Sequence, residues 1–208
     1  MNIPNMLTMA RIAMVPVLVG MIYMPEHMLS KGMAQAVAMA IFVLAALTDW
    51  LDGYLARALK QTSKFGAFID PVADKVMVCA SLILLVHMGR LHSVAAMVII
   101  GREITVSALR EWMATMGQRN VVQVAMLGKL KTTAQMVAIP FLLVDLKFGG
   151  WMGTVEIGTA LMWVAVVLTV WSMVEYMRSA MRALKGGDSV VKQQAGGLAN
   201  IGGSTVKL

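Results

Sequence analysis

Asp49, Asp52, Asp70 and Asp74 place four carboxylates inside otherwise apolar sequence, in the stretch DWLDGYLARALKQTSKFGAFIDPVAD. An ionised Asp at the centre of a membrane helix costs about 3 kcal/mol on insertion scales, so a group of four needs compensating positive charge. Asp49 and Asp52 stand three residues apart, Asp70 and Asp74 four apart. On helices each spacing puts both acids on one face, with Cβ atoms about 5–6 Å apart. Between the pairs, ARALKQTSKF is polar and basic enough to turn at a membrane surface. The stretch predicts a helical hairpin whose arms present their acids to each other. Converging carboxylates make a cage for hard divalent cations, Mg²⁺ or Mn²⁺, and a pair of such ions suits phosphoryl transfer. Gly53, Ala56 and Gly66 leave room for a ligand or a close helix, and Arg57 offers a fork of donors to a phosphate. Read as structure alone, the acids would be salt-bridge partners within a bundle, but Arg57 and Lys75 are too few to pair with all four.

The elements that hold such a hairpin have to be membrane helices. The chain has 208 residues, 59% hydrophobic and 14% charged, and its mean hydropathy is +0.74. Its apolar residues come in runs of roughly 20, which excludes an ordinary soluble domain. The runs cover 3–24, Met33–Leu59, Phe65–Met88, Ser93–Met116, Lys131–Leu146 and Val155–Met177. They predict an all-α, polytopic protein with six transmembrane helices. Residues 117–130 are too polar to continue a span and read as a surface loop or short helix. Pro71 falls in the first turns of the third run, where it removes a backbone donor cheaply or kinks the helix. The first run could pass for a signal peptide, but no small-x-small site follows it directly. Residues 1–185 thus form one transmembrane catalytic domain. The Gly- and Ser-rich remainder, 186–208, reads as a flexible tail.

Charge gives direction to the bundle. The formal net charge is +7, with basic residues gathered at the ends of apolar runs, where anionic lipid headgroups rather than nucleic acid are the partner. Arg57, Lys60 and Lys64, then Arg110, Arg119, Lys129 and Lys131, then Arg178, Arg182, Lys185 and Lys192 fall on one side. The positive-inside rule puts that side, with both termini and the turn of the acidic hairpin, in the cytoplasm. His27, His87 and His92 fall at the opposite face, so a histidine mechanism at the acids is not expected, and no His-x-Lys pair is present. Cys79 is the sole cysteine and a packing residue by context, which excludes a disulfide or thiolate site within one chain. The 21 methionines read as core filling, and Met21, Met24, His27 and Met28 come nearest to a copper cluster.

Two further polar groups interrupt the runs. Asn5, Thr8 and Arg11 recur every three residues and share a face of the first helix, as caps or as part of a site. In GREITVSALREW, Arg102 and Glu103 are adjacent, so each is expected to pair with another helix. Arg110, Lys129, Lys131 and Thr132 lie near the cytoplasmic end and could form a cationic pocket for a phosphorylated second substrate. Structural pairing is the competing reading.

The pattern D49xxD52G53xxA56R57, eight residues, then G66xxxD70xxxD74 resembles the signature of the CDP-alcohol phosphatidyltransferase family at all eight fixed positions. The resemblance implies that Asp49, Asp52 and Asp70 hold divalent metal, two Mg²⁺ or Mn²⁺ ions, with Asp74 as general base and a further metal contact. It also implies that Gly53, Ala56, Arg57 and Gly66 accommodate the headgroup of CDP-diacylglycerol. NIPNMLTMAR, GREITVSALREWMA and GKLKTTAQM resemble the bacterial branch of the family whose acceptor is sn-glycerol 3-phosphate, over about residues 2–184. Thr8, Arg11, Arg110, Lys129 and Lys131 then become candidates for the acceptor site. The implied product is phosphatidylglycerophosphate, formed at the cytoplasmic face of the inner membrane by an enzyme whose relatives are commonly homodimers. The motif alone also admits inositol phosphate, phosphatidylglycerol or serine as acceptor. A divalent-cation transporter is the alternative from another class, but the acids cluster near one face while an ion path would need polar residues across the whole bilayer.

Overall fold

A segment that crosses a bilayer has to satisfy its backbone N–H and C=O groups internally, and a helix does so within one run. The computed structural model describes residues 3–58, 64–116, 126–148 and 152–202. Among them are six helices and one minimal hairpin. α1 (Ile3–Ile22) lies against both α2 (Lys31–Ala58) and α3 (Lys64–His87). α4 (Ser93–Thr115) and α5 (Met126–Leu143) pack along α6 (Thr154–Gly202), and α5 also touches α2 and α3, which joins the two groups. The fold is all-helical apart from β1 (Lys147–Phe148) and β2 (Met152–Gly153), which pair antiparallel between α5 and α6.

The seam between the groups is apolar and closely packed. Leu18, Phe42, Leu82, Ile99, Ile139 and Met162 are buried in one continuous cluster, and Ala38, Ala45 and Ala138 let the helix backbones approach. Within the second group Gly158 on α6 lies close against α5, and a Cβ there would stand 2.7 Å from Leu142 Cγ. At the end away from the acids, Arg90 closes α5. Its Nη1 donates to the carbonyls of Leu142 at 2.9 Å and Leu143 at 2.8 Å, and Nη2 donates to Gln35 Oε1 at 3.0 Å. These are terminal carbonyls that the helix cannot satisfy itself. α6 starts on a partial capping box, with the Gly153 N–H donating to Glu156 Oε2 at 2.8 Å.

The helices match the expected runs with two differences. α5 begins at Met126 and so takes in residues 126–130, which were expected to belong to a surface loop or short helix. Met, Leu and Lys are good helix formers, and polarity that argues against a membrane span does not argue against a helix. α6 passes Gly186 and Gly187 and reaches Gly202 with no break at the expected 185/186 boundary, since a glycine pair weakens a helix without forbidding it. Among the described residues three stretches are long and apolar enough to cross a membrane on composition: Asn5–Ile22, Lys31–Asp49 and Thr154–Arg182. α3 carries Asp70, Asp74 and Lys75, and α4 carries Arg102, Glu103 and Arg110, too many charges for that composition. Outward faces hold exposed Leu44, Leu47, Ile83, Met97, Ile104 and Trp171, the pattern of a protein whose surroundings are apolar. This is a membrane protein.

Candidate active site

Helix α1 meets the acidic hairpin along one face. Thr8 and Arg11, both buried, stand three residues apart on it. Thr8 Oγ1 donates to Asp70 Oδ1. Arg11 Nη1 lies 2.9 Å from Asp49 Oδ1 and 2.9 Å from Asp74 Oδ1. One guanidinium nitrogen therefore sits between carboxylates from α2 and α3, and at these two acids the arms of the hairpin face each other. Thr8 and Arg11 meet Asp70 and Asp74 in ascending order, so α1 and α3 run in the same direction here. The Arg11 side chain is 2% exposed, whereas those of Asp49 and Asp74 keep 39% and 41%. The cation is enclosed while the acids stay partly exposed.

That exposed surface lines a cavity of about 450 Å³ bounded by α1, α2, α3 and α5. Arg11, Asp49, Asp74, Thr132 and Thr133 supply its polar wall, and Phe42, Ala46, Met77 and Val137 much of the apolar one. A second chamber, of about 210 Å³, is lined by Pro71, Lys75, Glu103, Arg110 and Gln135. Among the described residues Asp74, Val78, Thr132 and Met136 line both spaces, so Asp74 is the one described carboxylate on their common wall.

The expected cationic pocket is divided. Arg110 lines the second chamber, but Lys131 is fully buried and its Nζ pairs with Glu103 Oε1. Arg102 and Glu103 each reach another helix as expected, α6 and α5 respectively, but they also face each other, which adjacency had argued against. Arg102 Nη1 reaches Glu103 Oε1 at 3.0 Å, because the long arginine side chain bridges the angular offset between adjacent helical residues. Arg102 also donates to Ser172 Oγ at 3.4 Å and lies 5.6 Å from the centre of the Tyr176 ring on α6. This half of the polar sequence in α4 therefore ties three helices together.

Gly66 is buried in α3. Gly53, Ala56 and Arg57 lie on α2 and Lys129 on α5, but the side chains of Asp52, Ala56, Arg57 and Lys129 lie outside the described ones. Among the described residues no three acidic, His or Cys side chains gather as a metal cluster. The donor set nevertheless fits a cation, since Asp49 and Asp74 already share one, the guanidinium of Arg11. Partly exposed oxygen-only donors are the chemistry that Mg²⁺ and Mn²⁺ prefer. Gln135 and Thr133 were not singled out from the sequence. Gln135 was legible only as the residue one helical turn beyond Lys131.

Known proteins resemble this chain over most of its length. The family model for CDP-alcohol phosphatidyltransferase matches residues 1–171. A Salmonella choleraesuis protein named CDP-diacylglycerol-glycerol-3-phosphate 3-phosphatidyltransferase is 45% identical over 186 residues, covering 86% of this chain and 94% of its own. Proteins of the same name from Haemophilus influenzae and Sodalis glossinidius are 44% and 48% identical, covering 88% and 86% of this chain and 95% of each relative. With the motif, the paired acids and a match across most of its length, the chain belongs to the CDP-alcohol phosphatidyltransferase family.

Proposed function

We propose that this protein is an integral membrane enzyme that transfers the phosphatidyl group of CDP-diacylglycerol to sn-glycerol 3-phosphate. The products are phosphatidylglycerophosphate and CMP, a step of phospholipid biosynthesis. The chemistry rests on one observation: Asp49 and Asp74, from facing helices, converge on a single cation at the wall of a cavity. The identity of both substrates rests on the names of relatives that match nearly the whole chain.

The larger cavity takes the nucleotide-activated lipid headgroup, and Gly53, Ala56, Arg57 and Gly66 are the residues that the family motif assigns to that headgroup. The acyl chains stay in the bilayer. The second chamber takes the acceptor, with its phosphate at Arg110 and Lys75. Asp74 stands between them and accepts the proton of the acceptor's 1-hydroxyl. The hydroxyl oxygen bonds to the β-phosphorus, the bond from that phosphorus to the bridging oxygen breaks, and CMP departs with the bonding pair. Asp49, Asp52, Asp70 and Asp74 would hold one or two Mg²⁺ or Mn²⁺ ions, which when bound neutralise the acids and polarise the phosphoryl oxygens. Thr8 bonded to Asp70, and Arg11 paired with Asp49 and Asp74, support a role for both in orienting the acids.

All six helices cross the inner membrane of a bacterium, with termini and acids on the cytoplasmic side, and two copies associate as a homodimer. Residues 1–185 form the catalytic domain and 186–208 an appendage. Purified protein incubated with CDP-diacylglycerol and, in turn, sn-glycerol 3-phosphate, inositol phosphate, phosphatidylglycerol and serine should release CMP with the first. Release with another acceptor alone would overturn the assignment. Divalent-metal flux into liposomes without CMP release would revive a transporter.

A further inference from the structure

Gln135 is 3% exposed on α5, and its side-chain oxygen Oε1 is buried with no hydrogen-bond partner. The residue lines the second chamber together with Asp74, Lys75, Glu103, Arg110 and Thr132. A buried carbonyl without a donor is a standing cost in the folded protein, and buried polar groups are otherwise nearly always paired. The oxygen can only accept, so whatever satisfies it brings an O–H or N–H into the chamber.

With sn-glycerol 3-phosphate as the acceptor, on which this inference rests, three of its groups could meet the oxygen. Its phosphate is an acceptor and is repelled by a carbonyl oxygen. That group belongs with the two cations on the same walls, Lys75 and Arg110. The 1-hydroxyl gives its proton to Asp74. The central 2-hydroxyl is the one donor left over. We propose that Gln135 Oε1 accepts a hydrogen bond from the 2-hydroxyl of the acceptor, and so makes Gln135 a specificity-determining residue that selects a vicinal diol phosphate over a simple hydroxyalkyl phosphate. A site built to hold a hydroxyl rejects an analogue lacking it, because the buried partner is then left unpaired.

The test compares sn-glycerol 3-phosphate with 3-hydroxypropyl phosphate, which keeps the reacting hydroxyl and the phosphate but lacks the central hydroxyl. The full-length enzyme should prefer the diol in kcat/KM by on the order of tenfold or more, and should bind it more tightly in calorimetry without the lipid substrate. In Gln135→Met, similar in length but without the acceptor oxygen, both preferences should collapse towards unity, mainly through a higher KM for the diol. The ratio is taken within one protein, so partial misfolding of a variant does not disturb it. Gln135→Met should also keep or raise the melting temperature, since it removes an unsatisfied polar atom, whereas a purely structural glutamine would lower it. An undiminished preference in Gln135→Met overturns the proposal. Failure of the unaltered enzyme to use sn-glycerol 3-phosphate at all overturns the functional reading instead.

Discussion

Arg11 and Asp74 carry the residue-scale argument. Replacing Asp74 by Asn keeps the size and most of the neighbouring acids but removes the base. Turnover should fall roughly 10²- to 10⁴-fold while CDP-diacylglycerol still binds, as read by CMP release and by a separate binding measurement. Near-normal turnover would remove Asp74 from the base role. Arg11→Gln leaves Asp49 and Asp74 without their common cation. Breaking an ion pair is most costly where it is buried, and here the acids are partly open, so the loss should be on the order of 1–3 kcal/mol. Added Mg²⁺ or Mn²⁺ should recover part of that loss in a thermal melt, and EDTA should deepen it. Equal melting with and without divalent ion would mean that the acids do not receive the metal. The acids themselves were readable from their spacing. That Arg11 would lie between two of them was not, because the three-residue repeat of Asn5, Thr8 and Arg11 fixes a shared face without saying what that face meets.

Among the elements, the contact of α5 with α6 is the most demanding of sequence. Gly158 sits where an added Cβ would meet Leu142 Cγ at 2.7 Å and the Leu142 backbone nitrogen at 3.1 Å. Gly158→Ala should therefore destabilise the protein by about 1–3 kcal/mol, as overpacking does. Gly20→Ala and Gly101→Ala, with nothing within 4 Å, should be neutral or stabilising by up to about 1 kcal/mol in the same melt. Equal effects at all three positions would show that the close approach is not needed. A helix period predicts which residues are helical but not which neighbour they touch, so Gly158 looked like any other glycine in an apolar run. For the same reason the sequence sent Arg102 and Glu103 to other helices without saying which: Arg102 reaches Ser172 on α6, Glu103 reaches Lys131 on α5, and the two also pair with each other.

For the whole molecule, the asymmetry of basic residues makes orientation testable. In a Cys79→Ser background, His27→Cys, between α1 and α2, should react with an impermeant maleimide from the periplasm. Met116→Cys, exposed just after α4, should react only once the inner membrane is opened. The reverse pattern would invert the molecule. Truncation after Lys185 should leave CMP release unchanged, and its loss would extend the catalytic domain into the remainder of α6.

By itself the sequence determined the membrane setting, the helices and the presence of a divalent-metal phosphotransfer motif, since these follow from local composition and from spacing along one helix. Tertiary structure decided that α1 closes the acidic site, that Lys131 is spent on Glu103, and that Asp74 stands between two chambers with Gln135 facing the second. Those facts depend on how far each helix is rotated against its neighbours. That rotation is set by the fit of many buried side chains at once, so no short stretch of residues encodes it.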